Sequence, residues 1–211
     1  MTKQIGLGSI TQQMLRYRYA PRYSAATCWE FMMKSHGPWK IVDSEEMYRD
    51  PWVSLRKDNV IRPDGNAGTY SIVAIKPGVS VLAMDDNQNV YLTEEFHYAV
   101  GRVTLETVSG GIEPDAGPLE TAKRELREEL GIGATSWRSL GECDPFTANL
   151  VSPTTLFVAR GLTFGECDPE GTELIRKVKM SLAQAVEKVM QCEITHAPSC
   201  LLILKAARLA A

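Results

Sequence analysis

The stretch GGIEPDAGPLETAKRELREELGI, residues 110–132, decides how the rest of the chain is read. Gly117-Pro118 marks a helix start, because proline at the first helical position gives up only an amide hydrogen that has no intrahelical partner. Glu120 then falls in the first turn, where the helix dipole favours an anion. Gly131 supplies the stop, since glycine takes the left-handed conformation that closes helices. The predicted helix is therefore Pro118 to Leu130. At about 100° per residue, Leu119, Ala122, Leu126 and Leu130 share one stripe, and Glu125, Glu128 and Glu129 cluster on an adjacent face at i, i+3 and i+4. Carboxylates so spaced repel one another by a few tenths of a kcal/mol per pair. Two readings are open at this level. One is a solvated acidic helix balanced by Lys123, Arg124 and Arg127; the other is a face that holds divalent cations through carboxylate oxygens.

Upstream of this helix the chain reads as strands. WKIVDSEEMYRDPW and VSLRKDNVI are followed by the turn signal RPDGNAG and the apolar run TYSIVAI, which makes an antiparallel hairpin. VSVLAMDD, the turn NQN and VYLTEEF make a second hairpin, and RVTLETV alternates into Gly110 and Gly111. Downstream, strands are expected at Ser136 to Cys143, Thr154 to Ala159 and Leu174 to Met180. Helices are expected at Leu182 to Met190 and Ser199 to Ala210. Hairpins, one helix, more strands and two closing helices, without a βαβ series, indicate an α+β fold. Residues 1–38 show no clean period, and their role is not legible.

Composition excludes several classes of function. The chain has 211 residues, 44% hydrophobic and 23% charged, an ordinary globular balance. Its net charge of −3 supplies no broad positive field, which argues against a sequence-independent grip on nucleic acid and means that an anionic substrate needs local help. The five cysteines (Cys28, Cys143, Cys167, Cys192 and Cys200) have no metal-type spacing and are expected to be packed or idle thiols. No stretch reads as a signal peptide or as a membrane span of roughly 18 apolar residues, so a cytoplasmic protein without membrane partners is expected.

The box 110–132 also resembles a known signature. In the pattern G-x5-E-x7-R-E-U-x-E-E-x-G-U, U being aliphatic, this chain places Gly110, Arg124, Glu125, Leu126, Glu128, Glu129, Gly131 and Ile132 in register. That is the signature of the Nudix hydrolases. Chance agreement at the six glycine and charged positions is roughly 10⁻⁷ per window. The flanks are similar to ADP-ribose pyrophosphatases and related nucleoside-diphosphate-sugar hydrolases, from Trp39 through the PDG turn, the VGR loop and the LETVSGG approach to the box, and onward to the closing helices. The resemblance implies an α/β/α sandwich with a mixed sheet over residues 73–211. It further implies a small antiparallel strand subdomain over 39–72 that serves dimerisation and base stacking. Residues 1–38 are not covered.

What the resemblance implies about chemistry suits the residues. The branch cuts the pyrophosphate of a nucleoside diphosphate sugar into a nucleoside monophosphate and a sugar phosphate. With no basic patch, positive charge must come from Mg²⁺ or Mn²⁺. By the resemblance, Glu125, Glu128, Glu129 and the carbonyl of Ser109 hold the metal, and Arg124 orients Glu125 by a bidentate pair, a task a planar guanidinium does better than lysine. Glu173 is the expected water-activating base, with Glu170 and Glu166 behind it. Trp52 and Tyr70 match aromatics that sandwich the base in dimeric relatives, and Arg102 is a candidate substrate contact. A homodimer acting on a small nucleotide is implied.

The chain departs from the pattern in three places. Ala116, beside Asp115, stands where the signature has its first glutamate. Glu94 and His97 stand where many ADP-ribose enzymes carry arginines. FTANLVSP replaces a Pro-Gly-Phe-Ser type of loop. These departures keep two alternatives in view: a weakened domain that binds nucleotides without cutting them, and a dinucleotide polyphosphate or NADH hydrolase.

Overall fold

The computed structural model describes residues 33–167 and 174–210. Among these, one compact unit takes 33–43 with 59–68, and a second takes 44–58 with 69–210. In the first unit, β1 (Lys34–His36) folds back on the start of β2 (Trp39–Arg49), with His36 opposite Trp39 and Lys34 opposite Ile41. Gly37, at φ 56°, makes the turn. This strand lies inside the range 1–38 that the sequence left without a role, and residues 1–32 fall outside the described residues. The PDG signal behaves as read: the Gly65 N–H donates to the Arg62 carbonyl at 2.9 Å, and Asp64 accepts from the Asn66 N–H at 3.0 Å.

β3 (Val53–Ile61) and β4 (Ala67–Ile75) complete the meander of a five-stranded sheet ordered β1-β2-β3-β4-β10. The short β10 (Leu150–Val151) joins β4 in parallel through Leu150–Val73 and Val151–Ala74. Within the second unit, the bend between β2 and β3 is set by Asp50, whose Oδ1 accepts from the N–H groups of Trp52 at 2.8 Å and Val53 at 2.7 Å. Those two bonds to its ionised form hold the Asp50 carboxyl below its usual pKa.

The larger unit is built on a seven-stranded mixed sheet. Its main order is β12-β6-β5-β11-β9, with β7 (Arg102–Glu106) added to β6 and β8 (Val108–Gly111) added to β5. The central strand β5 (Gly78–Met84) pairs parallel with β11 (Thr154–Phe164) and antiparallel with β6 (Asn89–His97) and β8. Val79 through Met84 are all buried, as a strand covered on both faces requires. Alternation sorts its side chains into two cores. Val79, Val81 and Ala83 pack with Val108, Phe157 and the Ala122, Leu126 and Leu130 stripe of α1 (Pro118–Leu130). Leu82 and Met84 pack with Leu156 and Val158, with Leu182 of α2 (Leu182–Met190), and with Leu202 and Ile203 of α3 (Ala197–Ala210). This is the expected α/β/α sandwich.

Helix α1 keeps its predicted bounds. Gly131 closes it at φ 62°, its N–H reaching the Arg127 carbonyl at 2.8 Å. Helix α2 opens on a capping box: Ser181 Oγ accepts from the Gln184 N–H, and Gln184 Oε1 accepts from the Ser181 N–H. Four other boundaries shift. β9 runs Ile132–Cys143 rather than from Ser136, and β11 continues to Phe164 rather than ending at Ala159. The final strand, β12, is Arg176–Ser181, and α3 begins at Ala197. The β9–β11 extension was hidden by Gly133 and Gly161, which weaken a strand pattern. Gly133 gives room, since a Cβ there would sit 2.6 Å from Thr163 Oγ1, whereas Gly161 takes φ 64° and a Cβ there would also overlap Thr135 Oγ1.

The turn between β5 and β6 carries a testable electrostatic feature. Asp85 accepts from the backbone N–H groups of Asn87 at 3.0 Å and Asn89 at 2.8 Å, and Lys179 Nζ lies 3.2 Å away. Desolvation works against its charge, but the bonds from Asn89 and the pairing with Lys179 prevail and lower its pKa from 3.8 to about 2. A depressed carboxylate contributes stability that is complete above its unfolded pKa and is lost as pH falls through the folded one. Urea titrations of wild type and Asp85→Asn are therefore expected to differ by about 1–2 kcal/mol at pH 6 and to converge as the pH falls from 4 to 2.

Candidate active site

Strand β8 runs along β5, with Ser109 opposite Ser80 and Gly110 opposite Val79, and brings its backbone against the acidic face of α1. A Cβ built on Gly110 would overlap Cδ and Oε1 of Glu125, so the carboxyl group occupies the space that any other residue would fill. The glycine at this position is thus a cradle for Glu125. Arg124, the residue just before Glu125, lies between two carboxylates. Its Nη2 is 2.5 Å from Glu125 Oε1, and its Nη1 is 2.7 Å from Glu128 Oε2. Burial disfavours the Arg124 charge, but the two carboxylates outweigh it and its pKa is raised. This bridge offsets the repulsion that the i, i+3 spacing creates. Glu129 is 9% exposed, the most deeply buried of the three glutamates. A cleft of about 440 Å³ flanks the same face, lined by Arg124, Arg127, Glu128 and Glu166 among others.

Among the described residues, no three His, Cys, Asp or Glu side chains converge as a ready metal cage. The donor set nonetheless fits a hard cation. Glu125, Glu128 and Glu129 offer only carboxylate oxygens, and the cradle at Gly110 lets the Ser109–Gly110 backbone approach one of them.

The NUDIX domain family model matches residues 74–191, more than half of the chain. The chain belongs to the Nudix family. A second family model, the nucleoside diphosphate sugar hydrolase N-terminal domain, matches residues 39–73. Among curated proteins, the ADP-ribose pyrophosphatase of Mycobacterium tuberculosis (strain ATCC 25618 / H37Rv) is 31% identical over 57% of this chain and 59% of its own length. The ADP-ribose pyrophosphatase of Bacillus subtilis (strain 168) is 30% identical over 45% of this chain and 51% of its own. The Nudix chain thus spans between half and three-fifths of these two relatives. The methanol dehydrogenase activator of Bacillus methanolicus is 23% identical over 74% of this chain and 85% of its own. A solved ADP compounds hydrolase superposes with a TM-score of 0.71 at 20% identity, over 83% of this chain and 96% of that one. That last likeness speaks to the Nudix fold.

The Nudix box residues fall together, and Trp52 shares a cleft with Ser109 and Gly110 that Tyr70 and Arg102 do not line. Trp52 is 70% exposed. It lines a cleft of about 300 Å³ with Lys76, Ser109, Gly110, Thr154 and His196. Tyr70 does not line that cleft, and its hydroxyl donates to the Ala148 carbonyl. Arg102 donates from Nη2 to Thr195 Oγ1 at 2.8 Å, which ties β7 to the segment before α3. Glu170 and Glu173 lie outside the described residues, while Glu166 sits beside Glu128 in the cleft along α1. Ala116 donates its N–H to the Glu113 carbonyl at 3.0 Å, in the turn before the helix.

One group of residues escaped the sequence reading. His196 Nδ1 lies 3.0 Å from Glu106 Oε2 and 2.8 Å from Ser199 Oγ. Glu106 Oε1 accepts from Thr104 Oγ1 at 2.6 Å and faces His97 Nε2 at 3.4 Å. Ser199 Oγ accepts from the Thr107 N–H at 3.0 Å, and Thr107 Oγ1 meets Ser80 Oγ at 2.6 Å. Ser80, Thr107 and Ser199 are fully buried, so this chain of hydroxyls fastens β5, the β7–β8 junction and the start of α3 to one another. Burial lowers the His196 pKa and His97 adds to that, while Glu106 opposes both; the ring is held toward its neutral form. No sequence signal pointed here, because the partners meet only when α3 closes over the sheet.

Proposed function

We propose that this Nudix protein hydrolyses the pyrophosphate bond of a nucleoside diphosphate sugar of the ADP-ribose type, releasing a nucleoside monophosphate and a sugar phosphate. The observation that carries the reading is the acidic face of α1 seated on the Gly110 cradle, with Arg124 bridging Glu125 and Glu128. The match of residues 39–73 to the nucleoside diphosphate sugar hydrolase N-terminal domain and the two ADP-ribose pyrophosphatase relatives support the substrate class.

In this proposal Glu125, Glu128, Glu129 and the Ser109 carbonyl hold Mg²⁺ or Mn²⁺. When bound, the ion neutralises the diphosphate and lowers the pKa of its water. Arg124 aligns Glu125 and Glu128 through its two nitrogens. Trp52 offers a flat apolar face to a base, and stacking of that kind tolerates any base. Glu173 is proposed as the group that takes the proton of the attacking water, and Glu166 is its described neighbour in sequence. Water attacks phosphorus, the bridging P–O bond breaks, and the leaving phosphate takes the electron pair.

A homodimer is part of the proposal. Met47, Tyr48 and Trp52 are 51%, 55% and 70% exposed around the β2–β3 bend, apolar side chains available to a second copy. No helix among the described residues is long and apolar enough to cross a membrane, and Cys143, Cys167, Cys192 and Cys200 are free. A reducing compartment such as the cytoplasm is proposed on that basis.

The purified protein, incubated with Mg²⁺ and a panel of ADP-ribose, GDP-mannose, UDP-glucose, NADH and a dinucleotide polyphosphate, is expected to release nucleoside monophosphate fastest from ADP-ribose. Release from none of them sinks the reading. One observation favours a second reading, a nucleotide-binding module: Ala116 removes a carboxylate from the box. Tight nucleotide binding without product in the same panel is its signature.

A further inference from the structure

The cleft that holds Trp52 also holds a polar group that the proposed chemistry leaves without a task. His196 stands just before α3, on the sheet face opposite α1, and its ring is fixed from within. Among the described residues its two partners, Glu106 Oε2 at 3.0 Å and Ser199 Oγ at 2.8 Å, are on Nδ1. An ionised carboxylate has no proton to give, so the Glu106 contact is attractive only if Nδ1 carries the hydrogen and donates it. Ser199 accepts from the Thr107 N–H and meets Thr107 Oγ1 at 2.9 Å, a contact in which either hydroxyl can donate, so its proton has a partner other than the ring. A neutral imidazole with its proton on Nδ1 has an unprotonated Nε2, which is a hydrogen-bond acceptor. Nε2 is the ring's remaining polar atom, and His196 lines the cleft beside Trp52, Ser109 and Gly110.

We propose that His196 is a substrate-recognition residue whose Nε2 accepts a hydrogen bond from a sugar hydroxyl or base amine of the nucleoside diphosphate sugar bound in this cleft. The inference rests on the hydrolase reading above and adds to it a specificity contact and its supports. Glu106 and Ser199 are positioning residues that fix the tautomer and the ring plane. The acceptor distinguishes a substrate with a donor at that point from one without, because an acceptor that a bound ligand covers without pairing loses its water and gains nothing in return.

The test measures binding of ADP-ribose, of analogues lacking one ribose hydroxyl, and of the hypoxanthine analogue, by calorimetry on the full chain. His196→Asn keeps an amide N–H where Nδ1 stands and removes the reach into the cleft, whereas His196→Gln keeps that reach. His196→Asn is expected to weaken ADP-ribose binding about tenfold, with an unchanged thermal melt, and to erase the penalty that wild type shows for one of the analogues. His196→Gln is expected to restore part of the affinity. The analogue whose penalty vanishes tells a hydroxyl from an amine. Equal ADP-ribose affinity in wild type and His196→Asn overturns the inference, as does a loss of the same size for every analogue, while cleavage by wild type leaves the hydrolase reading standing. A wild type that neither binds nor cleaves ADP-ribose overturns both.

Discussion

Glu129→Gln is expected to lower turnover by roughly 10²- to 10³-fold while the protein stays folded. Glu129 lies on the cradle side of α1, one position from Glu128 and four from Glu125, and is 9% exposed. The amide has the shape of the carboxylate, so packing around it survives. What it lacks is the charge that a divalent cation needs and the second equivalent oxygen. Steady-state rates on ADP-ribose, paired with Mg²⁺ titration calorimetry and circular dichroism, separate the outcomes. Weakened cation uptake together with slowed turnover and an unshifted melt is the expected set. Unchanged turnover would remove Glu129 from the site.

Gly110→Ala is the second large effect, and its interest is that function and stability should part company. The added methyl group would overlap Cγ, Cδ and Oε1 of Glu125, so that flexible side chain must swing away from Cβ outward. Gly110 is not among the glycines at positive φ, so alanine is free of backbone strain there. Stability should change by no more than about 1 kcal/mol, since the smaller unfolded-state entropy of alanine offsets part of the disturbance. Activity should fall by about 10²-fold or more, because a displaced Glu125 loses both its seat and its 2.5 Å contact with Arg124. Guanidinium denaturation and the ADP-ribose assay report the two quantities separately. A variant that is badly destabilised yet fully active per folded molecule would refute the cradle.

The sequence carried most of α1, because every signal for it is local. Proline at the start, glycine at the stop and the leucine stripe lie within one short stretch, and the helix came out at Pro118–Leu130. Strand β10 was illegible for the opposite reason: it is two residues long and is defined by a parallel partner, Val73 and Ala74, far up the chain. β9 and β11 were cut short near Gly133 and Gly161, where a glycine signals a break in isolation and in context gives room for Thr163 or supplies the positive φ of residue 161. The site divides in the same way. Arg124, Glu125 and Glu128 could be placed together because helical spacing joins them, whereas Thr107 and Ser199 meet across 92 residues and no periodicity foretells it. Tyr70 was matched to a stacking role by its distance along the chain from Trp52; that its hydroxyl donates to the Ala148 carbonyl is a contact no spacing foretells.

The Arg124 bridge has a consequence for how the protein is made. A helix that crowds carboxylates for a metal would ordinarily await that metal before it could settle, as small zinc-dependent domains do. Here a resident guanidinium serves as internal counter-ion to Glu125 and Glu128, so the nascent chain can complete its architecture before any inorganic ion arrives. Under the proposed mechanism a divalent cation then joins a finished scaffold whose guanidinium is already in place, and a chelator should silence the protein without unfolding it.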